Sequence, residues 1–191
     1  TVGDQIYEVM KANNPKLKKK DAKPAILSLM QKVGIPSPEL RINDYPYQMS
    51  GGMQQRIMIA IALACNPDIL IADEPTTALD VTVQAQVLDL MRELKDEYQM
   101  SVILISHNLG VVASMCDRIM VMYGGVVVEE GTSVEIFYDP RHPYTQGLLA
   151  SIPSIAEDKE ELYSIPGTVP TFTAPVTRCR FADRCSHATD A

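Results

Sequence analysis

The chain has 191 residues, of which 46% are hydrophobic and 21% charged, and these proportions exclude a disordered or low-complexity scaffold. Its formal charge of −7 disfavours a general nucleic-acid binder. The longest apolar run, Ile57 to Cys65, is far shorter than the ~20 residues of a membrane span. The four cysteines are too few and too unevenly placed for a disulfide scaffold, which favours a reducing, cytosolic setting. The N-terminus shows neither a signal peptide nor an initiator Met, so we expect a fragment or a processed form.

Residues 1–65 carry the apolar spacing of helices. One predicted helix contains Ile6, and a second runs from Ala25 to a stop at Gly34, with a solvated basic turn (LKKKDAKP) between them. Three prolines predict that residues 35–48 form a connector. Ser50 is expected to cap a third helix, which is apolar on every face and therefore predicted to be buried all round.

Residues 66–131 alternate between strand and helix patterns. Short apolar runs predict buried strands over 68–73 and 101–106, with an amphipathic helix over 81–100 between them. A short helix over 108–116 and two strands around Gly124-Gly125 follow, and this order predicts a parallel α/β core. Past residue 131 come two short helices, an acidic stretch, a proline-rich segment and the sequence CRFADRC, so we place a boundary there.

Polar residues follow both predicted core strands at the edge where α/β sheets bind ligands. Asp73 could hold Mg²⁺ and Glu74 could orient or deprotonate a water, although two solvated acids are an equally good interpretation. His107 could donate to a phosphate or an oxyanion, but taken alone it is more simply a capping or core histidine. The segment SGG at 50–52 offers backbone N–H groups at a helix start, or it is only a well-capped helix.

Taken together in this order, the motifs resemble one family, the ATP-binding cassette (ABC) ATPases. Ser50-Gly51-Gly52 matches the signature motif of that family, Ile69 to Glu74 its Walker B strand, Thr77-Ala78-Leu79-Asp80 its D-loop, and His107 its switch histidine. The string from Met49 to Met91 is similar to the oligopeptide/dipeptide importer branch, and so is the tail with HPYTQGLLASIP, SIPGTVP and CRFADRC. Nickel and glutathione importers carry related tails, which leaves the substrate open.

The resemblance implies a role for each matching position. Asp73 would help to hold Mg²⁺, Glu74 would be the general base or the carboxylate that positions the water, and His107 would contact the γ-phosphate of ATP. An ATP held mainly by the opposite subunit would meet the signature segment and the D-loop, through Ser50, Gly51, Gly52, Met53, Gln54 and Asp80. Asp80 would also couple the two sites across the dimer.

The family also needs a phosphate loop, GxxxxGK[S/T], and a Q-loop glutamine, and this chain contains neither. The expected fold is therefore α/β: a partial P-loop NTPase core with a parallel sheet over 66–131, an α-helical subdomain over 1–65, and an irregular extension over 132–191. The isolated chain is expected to be inactive as an ATPase. In the sheet of this family the phosphate-loop strand lies between the strand ending at His107 and the strand over 118–123, so we expect both strands to face a gap.

The implied partners are a second ATPase subunit, transmembrane permease subunits and, indirectly, a substrate-binding protein, at the cytoplasmic face of a bacterial membrane. No nucleic-acid partner is expected. Residues 1–49 would supply much of the contact with the membrane subunits, through exposed positions such as Ile42, Tyr45 and Tyr47. An equally good interpretation is that these three residues only pack the connector. A soluble DNA-repair-type ABC ATPase and a non-catalytic docking module are the alternative classes.

The tail contains Cys179 and Cys185, whose C-x5-C spacing is wider than that of ordinary zinc sites. Two free thiols are the simpler interpretation, and His187 could join them only with strain. The resemblance suggests that a longer tail with four cysteines would hold a [4Fe–4S] cluster.

Overall fold

A computed structural model of the chain describes residues 1–77, 79–152, 163–172 and 177–189. These residues fall into two compact units, residues 1–107 and 108–191. That division cuts the predicted core segment 66–131, and the three-part organisation stays a prediction. Ala78 of the D-loop, the acidic stretch and part of the proline-rich segment lie outside the described residues.

The first unit begins with a group of helices. They are α1 (Val2–Asn13), α2 (Lys19–Lys32), α3 (Pro38–Arg41), a 3-10 turn (Pro46–Gln48) and α4 (Gly51–Leu63). Ser50 caps α4 as predicted, because its Oγ accepts a hydrogen bond of 3.4 Å from the Met53 N–H. Helix α2 ends before Gly34, whose φ of +76° suits glycine.

Three expectations for this region are wrong. The predicted basic turn is mostly helical, because α2 starts at Lys19 and tolerates Pro24 within it. The predicted connector contains α3 and the 3-10 turn, since proline fits the first position of a helical turn. Helix α4 is not buried all round: α1, α2 and α5 (Val81–Tyr98) contact it, yet Met58 is 58% exposed.

A parallel pair of strands completes the first unit. Strand β1 (Ile69–Asp73) pairs with β2 (Ser101–Ile105), so that Ile71 lies opposite Ile103 and Asp73 opposite Ile105. Both strands were predicted to be buried on both faces, and this is wrong. Alternate residues point to opposite faces, and one face carries four isoleucines that are 46–65% exposed: Ile69, Ile71, Ile103 and Ile105. We call this surface the isoleucine face.

The second unit contains a hairpin flanked by helices. Its elements are α6 (Leu109–Met115), β3 (Arg118–Tyr123), β4 (Val126–Thr132), α7 (Ser133–Tyr138) and α8 (Pro143–Ala150). Gly124 and Gly125, both with positive φ, turn the chain between β3 and β4, and this confirms the two predicted strands. Val112, Ile119, Val121 and Ile136 form a buried cluster there.

Strand β3 does not join the parallel sheet. Within the described residues it pairs only with β4, and the pairing is antiparallel. A two-residue glycine turn places the following strand directly beside one edge of β3. No described strand pairs with the other edge of β3, which agrees with the expected gap. The described parallel sheet contains two strands, where the order of elements predicted a third. In the described part of the chain no helix is long and apolar enough to cross a membrane.

Candidate functional site

Glu74 lies where β1 ends, in a backbone conformation that few side chains adopt. Its φ is +45°, in the left-handed region, where strain is common at functional positions. Its N–H donates to the Ile105 carbonyl oxygen over 2.9 Å, which extends the parallel ladder by one hydrogen bond. Because this bond ties Glu74 to the end of β2, the side chain lies close to His107, two residues beyond that strand.

The Glu74 carboxylate is held by two donors. His107 Nδ1 donates to Oε1 over 2.8 Å and the Thr77 hydroxyl donates to Oε2 over 2.8 Å. These hydrogen bonds, that of His107 first, hold the pKa of Glu74 below its usual range. The side chains of His107 and Glu74 are 77% and 43% exposed. The group is therefore ionised, oriented and open to a ligand, and each oxygen keeps a lone pair that can accept from water.

Asp73 is exposed beside this pair at the carboxyl end of β1. Carboxylate oxygens are the ligands that Mg²⁺ prefers, usually with several waters retained. An exposed carboxylate next to an oriented glutamate fits such a cation, so the residues present are compatible with the predicted magnesium ion.

The signature segment lies at the start of α4. Met53 N–H bonds to the Ser50 side chain and Gln54 N–H to the Ser50 carbonyl, which leaves the N–H groups of Gly51 and Gly52 without an acceptor among the described residues. Such groups at a helix N-terminus suit an anion. The Gln54 side-chain amide donates instead to the carbonyls of Pro46 and Met49, and so it stabilises the turn that leads into α4.

The signature segment packs closely on the D-loop and the start of α5. A Cβ added to Gly52 would meet Val83 Cγ1 at 2.6 Å, and one added to Gly51 would meet Leu79 Cδ2 at 3.7 Å. Asp80 caps α5 through a hydrogen bond of 2.9 Å from the Val83 N–H to its Oδ1. The structure thus brings together two groups of predicted residues, the signature segment with the D-loop, and the strand ends with the Glu74–His107 pair. Thr77 of the D-loop joins the two groups, because its hydroxyl and its N–H both donate to Glu74.

The cysteines of the tail are free. Cys179 Sγ lies 3.8 Å from Nε2 of His142, and Cys185 Sγ accepts a hydrogen bond of 3.4 Å from the His187 N–H. No set of three metal-binding side chains occurs in the part of the chain that the structure describes. The two thiols alone do not make up the ligand set of an iron–sulfur cluster.

Sequence reasoning missed two contacts. Thr77 was assigned only to the D-loop, yet it donates to Glu74; its place three residues after the glutamate, in a turn after Pro75, is the signal that could have indicated this. Glu129 on β4 accepts hydrogen bonds from the N–H groups of Arg141 and His142, 2.6 and 3.1 Å away. No local pattern predicts that contact, because it joins residues 12 and 13 positions apart.

Comparison with known proteins agrees with this geometry. Residues 3–77 match the family described as ABC transporter, and residues 128–191 match the oligopeptide/dipeptide transporter C-terminal region. The oligopeptide transport ATP-binding protein AmiE of Streptococcus pneumoniae is 55% identical over 98% of this chain and 53% of its own length. The dipeptide transport ATP-binding protein DppD of Bacillus subtilis is 54% identical over 97% of this chain and 55% of its own length. This chain therefore spans about half the length of these relatives.

Solved structures show the same fold. The dimeric structure of MJ0796, a bacterial ABC transporter cassette, superposes on 70% of this chain and 56% of its own with a TM-score of 0.59 and 28% identity. The fold is thus that of an ABC ATPase cassette. The chain belongs to the ABC transporter family, in its oligopeptide/dipeptide branch.

Proposed function

We propose that this chain is part of an ATP-binding and ATP-hydrolysing subunit that energises an importer of oligopeptides or dipeptides. The observation that carries the proposal is the Glu74 carboxylate, fixed between Thr77 and His107 at the carboxyl end of a parallel strand. The similarity to AmiE and DppD, ATP-binding proteins of oligopeptide and dipeptide transport, supports the class of substrate. The match of residues 128–191 favours this class over a DNA-repair-type ATPase and over a docking module without catalysis.

In the proposed mechanism Glu74 orients the attacking water and accepts its proton. Glu74 is ionised at neutral pH, as a base must be, and its two hydrogen bonds orient the carboxylate while they lower its pKa. His107, bonded to Glu74 Oε1, is placed to donate to a phosphate oxygen, and Asp73 to hold the hydrated metal ion. Bound ATP with Mg²⁺ supplies the electrophilic phosphorus and neutralises the charge that develops on its oxygens.

The signature segment would act across a dimer. The N–H groups of Gly51 and Gly52 would bind the γ-phosphate of a nucleotide held mainly by a second ATPase subunit, beside Ser50 and Met53. Helix α4 contributes its positive end to this contact. Asp80, which caps α5 beside Gly52, would transmit closure of one site to the other.

The proposed partners outside the ATPase pair are permease subunits and, through them, a substrate-binding protein, at the cytoplasmic face of a bacterial membrane. Tyr45 and Tyr47 are 49% and 79% exposed and stack with ring centroids 5.6 Å apart, so they remain candidates for docking on the permease. Ile42 does not, because it is 8% exposed and lies close to Gly3. Its predicted exposure is wrong, since its carbonyl and side chain pack against α1.

The test uses the complete subunit that contains this chain, assembled with its permease. We expect Glu74→Gln to bind ATP normally and to lose at least about a hundredfold of the hydrolysis rate, because an amide cannot accept the proton of water. His107→Ala should slow hydrolysis in the same way. Glu93→Gln, an exposed carboxylate on α5, is the matched control and should leave turnover unchanged. Near-normal turnover in both site variants would refute the assigned roles.

The chain by itself contains no GxxxxGK[S/T] segment, and we propose that it hydrolyses ATP no faster than background. For the complete subunit we also propose a [4Fe–4S] cluster in the cysteine tail. Cys179 and Cys185 would be two of its ligands, and further thiolates would have to complete the set. Visible absorbance and stoichiometric iron in anaerobically purified complete subunit test this proposal, and absence of iron would reject it.

A further inference from the structure

A short segment of this acidic chain is strongly basic. Between residues 11 and 23 lie six of its nine lysines and one acidic residue, Asp21, although the formal charge of the whole chain is −7. The six are Lys11, Lys16, Lys18, Lys19, Lys20 and Lys23. All six are exposed.

Two of these lysines have local partners. Lys19 forms an ion pair with Asp4 of α1, which lowers the pKa of that carboxyl group to about 2. Lys11 lies over the ring of Tyr7, 5.8 Å from its centroid. Lys19 and Lys11 therefore already have partners within the helical region.

The other four lysines form no ion pair among the described residues: Lys16, Lys18, Lys20 and Lys23. We call them the lysine cluster. Lys20 and Lys23 lie one turn apart on α2 and line a cavity of about 350 Å³, together with Lys19 and Asn43. Lys16 and Lys18 occupy the turn just before the helix, so all four charges lie at one end of α2.

The field of this region is positive for a second reason. Lys18 is the N-cap of α2 and makes no side-chain capping hydrogen bond, so the positive end of a 14-residue helix adds to the four ammonium groups. Asp21 in the first turn of the helix offsets one of these charges. The ammonium groups of the lysine cluster repel one another, and an array of bound anions would remove this electrostatic repulsion. Lysine provides mobile point charges rather than a planar fork, which suits many phosphates at variable spacing.

We propose that the lysine cluster binds the headgroup phosphates of an anionic lipid bilayer. A basic cluster of four to eight residues is the usual size for attraction to an anionic leaflet. The remainder of the chain carries a net negative charge and would be repelled by such a surface, which favours contact through the lysine cluster. The negative net charge of the chain also disfavours binding of a long nucleic acid, because such a polyanion would extend beyond the lysine cluster onto acidic surface.

The experiment measures partition of the protein onto vesicles by flotation at low salt. The vesicles contain either equal parts of phosphatidylglycerol and phosphatidylcholine or phosphatidylcholine alone. The wild type should bind the anionic vesicles and be released by salt, since the attraction is screened within a Debye length. Replacing the four lysines of the cluster by Gln should weaken binding about fivefold per lysine, and on the order of a hundredfold or more together.

The matched control replaces the same four lysines by Arg, which keeps the charge and should keep the binding. Lys19 is left in place because of its bond to Asp4. If the fourfold Gln variant fails to fold, as judged by circular dichroism, the pair Lys16→Gln and Lys18→Gln, outside the helix, should still weaken binding about twentyfold or more. Equal binding to neutral vesicles, unchanged binding of the Gln variants, or tighter binding to duplex DNA or inorganic phosphate would overturn the proposal. ATP hydrolysis plays no part in it, so its failure would not affect the proposed function.

Discussion

At the scale of single residues, the pKa of Glu74 depends on two hydrogen bonds of equal length. His107 and Thr77 each donate over 2.8 Å, and the bond from His107 lowers the pKa more. Removing either donor should move the pKa of Glu74 up toward its ordinary value. We expect a larger rise for His107→Ala than for Thr77→Val, measured by NMR titration of the carboxyl carbon.

Thr77→Ser is the control for this prediction, because it keeps the hydroxyl and should keep the low pKa of Glu74. If His107→Ala, Thr77→Val and Thr77→Ser all left the pKa of Glu74 equal, the two hydrogen bonds would not determine that pKa. The two contacts also differ in how far a sequence can indicate them. Both Glu74 and His107 were predicted at the carboxyl ends of parallel strands, and their proximity follows from the register of those strands. The contact from Thr77 to Glu74 depends instead on the positive φ of Glu74, and no rule based on composition predicts that φ.

At the scale of elements, the start of α4 depends on a close approach to α5. A Cβ on Gly52 would lie 2.6 Å from Val83 Cγ1, and the branched valine side chain has few rotamers with which to avoid it. Gly52→Ala should therefore destabilise the fold by about 1–3 kcal/mol. The unfolding free energy, measured in urea, tests this.

Gly51→Ala is the matched control for that substitution. Its Cβ would make an ordinary contact of 3.7 Å with Leu79, so we expect a change within about 1 kcal/mol, in either direction, because Ala favours the helix. If both variants lost equal stability, the contact with Val83 would not be the cause. The two glycines are adjacent in one motif, and only the packing of α4 on α5 distinguishes them.

The start of α8 depends on Glu129 in the neighbouring hairpin. Burial alone would raise the pKa of this carboxyl, but hydrogen bonds outweigh it and the pKa lies below its usual range. The donors are the N–H groups of Arg141 and His142, and the Thr145 hydroxyl contributes although its geometry falls short of a regular hydrogen bond. Glu129→Gln should cost about 1–3 kcal/mol of stability, because a charged acceptor is lost from two backbone bonds.

This prediction also fixes the direction of a pH dependence. The folded pKa of Glu129 is below the unfolded value of 4.5, so its contribution is complete above that value and is lost as pH falls through the folded pKa. The variant should therefore differ from the wild type most at neutral pH and least in acid, in urea unfolding at several pH values. Glu130→Gln, which alters an exposed pair with Arg118, should have little effect at any pH. A pH-independent loss in Glu129→Gln would point to packing rather than charge.

The elements also show where sequence patterns stop being informative. Apolar runs located β1 and β2, and the Gly124-Gly125 pair located the hairpin, because strand propensity and turn chemistry are local. Burial was predicted less well, since a run such as ILIAD is apolar on both faces whether or not both are covered. The glycine turn indicates that β4 lies beside β3, whereas local patterns do not show which strand pairs with the other edge of β3.

At the scale of the whole molecule, we expect the isoleucine face to cause self-association in solution. Its four side chains are 46–65% exposed on two paired strands, and the strands have free edges among the described residues. A contiguous apolar face with unpaired strand edges is a site of association. We expect the chain to form oligomers whose mass rises with concentration, measured by light scattering coupled to size-exclusion chromatography.

Ile71→Lys tests whether this face is responsible. Ile71 is 65% exposed, so a lysine there can extend into water and should leave the fold intact, while its charge repels a second apolar face. We expect the average mass to fall toward that of the monomer, 21.1 kDa, with an unchanged circular dichroism spectrum. Leu40→Lys, at a position 75% exposed on α3, introduces the same charge away from the strands and should leave association unchanged. A wild-type chain that stays monomeric at all concentrations, or equal effects of the two lysines, would show that the isoleucine face does not mediate association.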